Sequence, residues 1–313
     1  MKKVFIITCI MFIYSSFAPS FAADIDKLLK DFIKERLPDK DQFIASTTSE
    51  LRKKLIKDLK QKYPNHNKAV DAVLKEVSLE EEVAIGRQIV GNLLGAVPLV
   101  DDPELQKYVN KVGRWVAEQC ERPNLNWHFG VIESDDLNAF AAPGGYVLVT
   151  RGLYSMLDSE AELAGVLAHE IGHVISKHHL RVLQKSQVVD LGKQIISQKM
   201  GNNQIIQNLI GRGAEIVARA LDKRAEFEAD RIAIVLTARA GYDSHGLPEV
   251  LHLIGHYSAD DDRVALLFKT HPHPDARLEK LDAAMGTKFD SDTGQTLENR
   301  FYKLKPKKPK SGY

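Results

Sequence analysis

The feature that most constrains the fold is the segment LAGVLAHEIGHVISKHH, residues 163–179. Its apolar residues recur at helical spacing, yet His169, Glu170 and His173 stand among them. Residues four apart on a helix lie about 40° apart around the axis and ~6 Å apart along it, so both imidazoles can reach one ion. Glu170 is then placed to act as general base on a water molecule. A core histidine is often only a packing residue. The HExxH pattern therefore predicts a zinc site only if the chain also supplies a third ligand.

One candidate for the third ligand is His179. It follows His169 by ten residues, as the third histidine does in the pattern HExxHxxGxxH, but Ser176 replaces the glycine of that pattern. If the helix continues past Ser176, His179 lies ~240° around the axis from His173 and points away from the metal.

The other candidate lies in RAEFEADRIA, residues 224–233. Glu226 and Asp230 are four apart and share a helical face among apolar residues. One carboxylate could complete a His, His, Glu zinc set with an open fourth position, and the other could accept a hydrogen bond from a ligand histidine and fix its tautomer.

The N-terminal residues 1–22 have the pattern of a secretory signal peptide. Lys2 and Lys3 precede an apolar run, residues 4–14, and small residues precede a cleavage site after Ala22. The run is shorter than the ~20 residues of a membrane span, although an uncleaved anchor is the alternative. We predict a periplasmic or secreted protein. Loss of the two lysines changes the net charge from +1 to −1 (+1 minus 2), which excludes a general basic field for nucleic acid.

The rest of the chain predicts an α+β fold that is mostly helical. Residues 23–78 are lysine-rich with apolar residues at helical spacing, which predicts a helical module that caps the fold or contacts a partner or membrane surface. Residues 127–132 and 146–150 alternate like strands around a turn at 144–145 and predict a small antiparallel sheet packed on the HExxH helix. The basic residues 286–313 predict a disordered tail.

Four motifs occur in order within residues 79–285: NAFAAPGGYVLVTRGLYSML, LAHEIGHV, RAEFEADRIA and THPHPDAR. Together they resemble metallopeptidase family 48, the gluzincins that include HtpX-type quality-control proteases and CAAX prenyl endopeptidases. The resemblance implies a zincin-type metallopeptidase domain over 79–285 with one Zn²⁺ per chain. It implies that Glu226 is the third zinc ligand and that Asp230 is the acid that supports a ligand or transfers protons.

The resemblance also implies roles for two further segments. It implies that one segment forms an edge strand on which a peptide substrate is laid. This segment consists of Asn138, Ala139, Phe140 and Ala141. In THPHPDAR, Pro272 and Pro274 stiffen a loop. His271 is expected to occupy the fourth zinc position as a reversible cap, with Arg277 nearby as a donor to an oxyanion or a substrate carbonyl.

These expectations together predict a zinc-dependent metalloendopeptidase in protein quality control of the cell envelope, with misfolded or envelope polypeptides as substrates. Members of the family that span membranes carry several transmembrane helices, so this chain resembles the soluble periplasmic branch. The alternative is a zinc-dependent chaperone or assembly factor with secondary proteolysis. Glu170 favours the enzyme, because metal binding alone does not require it.

Overall fold

The computed structural model describes residues 77–183, 223–258, 260–289 and 294–304, together with Lys57 and Gln61. The chain divides into two compact units, and the second, Ser78–Arg181 with Ile210–Tyr313, contains all the elements discussed below. The first unit lies almost entirely outside the described residues. The signal peptide predicted for 1–22 falls there, as does nearly all of the helical module predicted for 23–78.

The described part of the second unit is mostly helical with one small sheet. Its elements in chain order are α1 (Leu79–Ala96), α2 (Pro103–Ala117), β1 (His128–Ile132), β2 (Ala139–Ala142), β3 (Tyr146–Thr150), α3 (Arg151–Met156), α4 (Glu160–Ile175), α5 (Lys223–Arg239), α6 (Gly246–Gly255), α7 (Asp262–Thr270), α8 (Pro274–Met285) and a short 3-10 helix (Glu298–Arg300). The predicted α+β class is confirmed. No helix among these residues has the length and apolar character to cross a bilayer.

The sheet is mixed, which corrects the prediction that it is antiparallel. Its strand order is β1-β3-β2; β2 and β3 form an antiparallel hairpin, but β1 pairs with β3 in parallel. The hairpin turn holds Gly144 and Gly145 at φ of 81° and 96°, a region that favours glycine. The chain crosses from β1 to the far edge before it enters this hairpin, so β3 returns alongside β1 in the same direction.

Helix α4, which carries the HExxH motif, lies at the centre of the core. Every residue from Glu160 to Val174 is buried, because the helix packs against α2, α5, α6 and the sheet. Gly172 allows α5 to approach closely, since a Cβ at this position would lie 3.2 Å from the Cα of Ala229. A larger residue at position 172 would therefore separate the two helices that carry the predicted ligands.

The boundary predicted for the disordered tail, residue 286, needs correction. Phe301 is buried, the backbone carbonyl of Tyr302 accepts a 2.8 Å hydrogen bond from the hydroxyl of Tyr154, and Arg300 forms an ion pair with Glu160. Residues 294–304 therefore pack on the domain, since burial of aromatic area offsets the entropy lost by ordering the segment. Residues 305–313 lie outside the described residues.

Candidate metal centre

Four side chains converge at one end of α4 and α5: His169, His173, Glu226 and His271. Each offers one ligand atom, and these atoms all lie within 4.8 Å of one another. The Nε2 atoms of the two motif histidines are 3.0 Å apart, and each lies 3.6–3.7 Å from an oxygen of Glu226. The structure thus brings together the histidine pair, the carboxylate and the loop histidine that the sequence indicated.

The convergence follows from the elements that carry these residues. His169 and His173 lie one turn apart on α4, and Glu226 lies in the first turn of α5, which packs closely on α4 at Gly172. His271 is the residue after α7, and its backbone N–H donates to the carbonyl of Leu267. Two packed helices therefore fix three of the side chains, and the end of a third helix adds the fourth.

The residues fit a zinc ion. The side chain of Glu226 is 0 % exposed, and its Oε1 atom has no hydrogen-bond partner. A buried carboxylate oxygen without a partner is costly in a folded protein unless a cation or another donor is present. Two imidazole nitrogens and one carboxylate oxygen are also one of the ligand sets that catalytic zinc sites use.

Two of the candidate ligands, Glu226 and His173, are held in the protonation state that a metal requires. Burial raises the pKa of Glu226, but the charge and hydrogen bond of His271, and then the charge of His169, outweigh burial and lower this pKa to about 2. Burial and the neighbouring histidines hold the pKa of His173 well below its ordinary value. The carboxylate is therefore ionised and this imidazole is neutral, and both keep lone pairs for a cation.

Glu170, the predicted general base, is buried beside His169 on α4. Burial raises the pKa of its carboxyl group, an effect that the charges of His169 and His271 partly oppose. A carboxyl group whose pKa lies closer to neutrality is a better base at neutral pH.

Asp230 and Arg277 lie behind His169. Asp230 Oδ1 is 2.9 Å from His169 Nδ1, which leaves Nε2 of this histidine directed at the cluster. Arg277 binds Asp230 through Nε at 3.0 Å and Nη2 at 2.5 Å, and its Nη2 also lies 3.2 Å from His169 Nδ1. Arg277 is thus placed to hold Asp230, and its role as an oxyanion donor stays a prediction.

His271 contacts the carboxylate of the predicted ligand Glu226 directly, with its Nδ1 2.5 Å from Glu226 Oε2. Burial lowers the pKa of His271, but the Glu226 carboxylate raises it by more. The side chain is 11 % exposed, so it lies at the outer side of a cluster whose other members are 0–5 % exposed.

His179 is not one of the four clustered residues. Helix α4 ends at Ile175, Lys177 adopts a φ of 54°, and a further helix begins at residue 178. This bend leaves the ring of His179 5.6 Å from that of His173, buried, and with its pKa lowered to about 4 by burial. The same bend brings His178 Nδ1 to 2.8 Å from His173 Nδ1, a contact that the sequence analysis did not predict.

The predicted substrate strand coincides with β2 and the residue before it. Strand β2 is an edge strand of the sheet and contacts α4. The backbone carbonyl of Asn138 accepts a hydrogen bond from the backbone N–H of Thr150, and the backbone N–H of Asn138 donates to Thr150 Oγ1. Of the four predicted residues, Phe140 is half-buried, whereas Asn138, Ala139 and Ala141 are buried. The structure confirms a strand at the edge, and its use by a substrate stays a prediction.

Residues 103–285 match the family described as Peptidase family M48. The chain belongs to this family. It is 32 % identical over 212 residues to "Beta-barrel assembly-enhancing protease" of Yersinia pestis. The aligned region covers 64 % of this chain and 43 % of that protein. The chain is 27 % identical over 187 residues to "Mitochondrial metalloendopeptidase OMA1" of Arabidopsis thaliana, covering 59 % of this chain and 37 % of the relative.

A third relative of this M48 chain is "Metalloprotease YcaL" of Escherichia coli, 30 % identical over 177 residues, with 56 % of this chain and 68 % of the relative covered. The chain spans less than half the length of the beta-barrel assembly-enhancing proteases that it matches. The family predicted from the four motifs is confirmed.

Proposed function

We propose that this M48 chain is a zinc-dependent metalloendopeptidase that hydrolyses peptide bonds in polypeptide substrates. The observation that carries the proposal is the convergence of His169, His173 and Glu226 within a buried cluster that has Glu170 beside it. One Zn²⁺ held by these three ligands would supply Lewis-acid chemistry to the substrate carbonyl and to the attacking water.

The protein's own groups would then move the proton. Glu170, whose pKa is raised by burial, takes the proton from the attacking water and delivers it to the leaving amine. Asp230 holds His169 in orientation, and Arg277 holds Asp230. We also propose that Asp230 assists proton transfer and that Arg277 donates to the developing oxyanion when substrate displaces its present contacts.

His271 is proposed as a reversible cap. Its Nδ1 already contacts Glu226, and it belongs to the group of donor atoms within 4.8 Å. Occupation of the fourth zinc position by this imidazole would exclude water, so turnover would require movement of the segment between α7 and α8.

The proposed substrate is an extended polypeptide that pairs with the outer edge of β2 through backbone hydrogen bonds, along Asn138–Ala141. Backbone pairing gives affinity with weak sequence preference, which suits misfolded or envelope proteins. The name of the relative from Yersinia pestis, which refers to β-barrel assembly, supports a role in envelope protein quality control. Export by the signal peptide proposed at residues 1–22 would place the enzyme in the periplasm or outside the cell.

Digestion of casein by the purified protein tests the proposal. Wild type should cleave casein, lose the activity on treatment with a chelator, and recover it when stoichiometric Zn²⁺ is restored. His173→Ala is the matched control, since it should stay inactive after zinc is restored. Cleavage that continues in the presence of chelator would refute a metallopeptidase. A zinc-bound protein that prevents aggregation without cleaving would favour the chaperone or assembly factor.

A further inference from the structure

The two histidines of the HExxH motif are supported by different kinds of partner. His169 has a carboxylate, Asp230, at 2.9 Å from its Nδ1. His173 has another imidazole, with His178 Nδ1 at 2.8 Å from its own Nδ1. His173 and His178 are 1 % and 2 % exposed, so water does not compete for this contact.

Only one proton can lie between the two Nδ1 atoms, and its position decides whether His173 can bind a metal. A neutral imidazole carries one N–H and one lone pair. If the proton belongs to His173 Nδ1, then Nε2 keeps its lone pair and faces the cluster. If the proton belongs to His178, His173 carries its proton on Nε2, where it points at His169 Nε2 and Glu226 and blocks coordination.

The other ring nitrogen of His178 favours the productive arrangement. Its Nε2 faces a carboxylate, with Glu228 Oε2 at 3.8 Å, and it is buried without a hydrogen-bond partner in the present geometry. A carboxylate favours an N–H on the nitrogen that faces it, which leaves His178 Nδ1 as an acceptor. The hydroxyl of Ser176 donates to the other oxygen of Glu228 at 3.3 Å and so holds the carboxylate in place.

The placement of His178 follows from the backbone. Lys177 adopts a φ of 54°, which ends the run of α4 and turns the next residue back towards His173. Glu228 lies on α5 two residues after the ligand Glu226. The same helix therefore supplies a metal ligand and the carboxylate that orients His178.

We propose that His178 is a positioning residue for the metal centre: with its own proton held on Nε2 by Glu228, it accepts the Nδ1 hydrogen of His173 and so keeps His173 in the tautomer that binds metal through Nε2. This inference rests on the proposed zinc function of His173.

Zinc affinity, measured by competition with a chromophoric chelator, tests the relay. His178→Leu removes the acceptor at similar volume and should weaken zinc binding about 10- to 100-fold. His178→Gln can still accept from His173 and should retain most of the affinity. His179→Leu is the matched control, because His179 is also buried beside His173 but has no hydrogen bond to it, and its zinc affinity should equal that of wild type. Equal zinc affinity in wild type and folded His178→Leu would overturn the inference.

A second readout does not depend on zinc. In the zinc-free protein labelled with ¹⁵N-histidine, His173 should carry its proton on Nδ1 in wild type and populate both tautomers in His178→Leu. If His178→Leu does not fold, Glu228→Leu, at the 38 % exposed end of the relay, should shift the same tautomer equilibrium. A wild-type His173 that carries its proton on Nε2 would overturn the inference even if zinc binds. Failure of wild type to bind zinc would refute the proposed function, and the tautomer result would then decide the inference.

Discussion

Removal of either member of the Asp230–Arg277 pair should destabilise the domain strongly. The two side chains are 1 % and 5 % exposed and are joined by hydrogen bonds of 3.0 and 2.5 Å. Asp230→Ala would leave the guanidinium buried without its carboxylate, and Arg277→Ala would leave the carboxylate with only His169. Breaking a buried ion pair in this way costs about 3–5 kcal/mol of the free energy of unfolding.

Urea unfolding followed by tryptophan fluorescence measures this loss. The chain contains two tryptophans, Trp115 and Trp127, and both lie in the unit that carries the site, so fluorescence reports this unit. The protein should be zinc-free, so that a change in metal binding does not contribute. Arg263→Ala is the control: Arg263 also pairs with an aspartate, at 2.8 Å, but Arg263 is exposed and its partner Asp261 is partly exposed, so the unfolding midpoint should move much less than in either variant of the buried pair.

The double variant decides whether the cost comes from a buried charge that has lost its partner. Asp230→Ala combined with Arg277→Ala removes both charges, so its loss should be smaller than the sum of the two single losses by about 1–3 kcal/mol. Single losses below about 1 kcal/mol, as for an exposed pair, would refute the reasoning. Additive losses would show that Arg277 acts elsewhere than on Asp230.

Three further outcomes are expected. Glu226→Ala should lose most of its zinc while His179→Ala keeps it, and metal analysis that shows the reverse would make His179 the ligand. His271→Ala should digest casein faster than wild type because the cap is gone; a slower variant with zinc retained would indicate stabilisation of the transition state, and an unchanged rate and pH profile would leave His271 with neither role. Burial raises the pKa of Glu160, but hydrogen bonds from Arg300 and two tyrosines lower it by more, below the ordinary value of 4.5. The stability that Arg300 adds should therefore be present at neutral pH and disappear as the pH falls through the folded pKa of Glu160. Urea unfolding of Arg300→Met measures this stability. The same loss of unfolding free energy in acid as at neutral pH would contradict this assignment.

The parts of the site that sequence could predict are those fixed by helical spacing. His169 and His173 share a face of α4 because they are four residues apart, and Glu226 and Asp230 share a face of α5 for the same reason. The resemblance to the family then distinguished the ligand from its supporting acid, a choice that spacing alone left open. In the structure, Glu226 lies among the four donor side chains that could hold a metal ion, and Asp230 lies beside His169 Nδ1; their roles as ligand and supporting acid stay predictions.

The parts that sequence did not predict depend on contacts between distant residues or on a single backbone angle. The parallel pairing of β1 with β3 depends on how the chain crosses the sheet, which alternation within a strand does not encode. The contact between His178 and His173 depends on the positive φ of Lys177, which ordinary helical periodicity would not anticipate. The packing of residues 294–304 depends on aromatic side chains that dock on a distant part of the core.

We propose that the cluster binds zinc for peptide hydrolysis, with Glu170 as the base and not as a ligand. The most direct test is to measure zinc content and casein cleavage on the same preparations of wild type and Glu170→Gln. We expect one zinc per chain in both proteins, with cleavage by wild type and none by the zinc-replete variant. Cleavage at the wild-type rate by zinc-replete Glu170→Gln would contradict the role of Glu170 as base, and a wild-type protein that binds no zinc would contradict the zinc site.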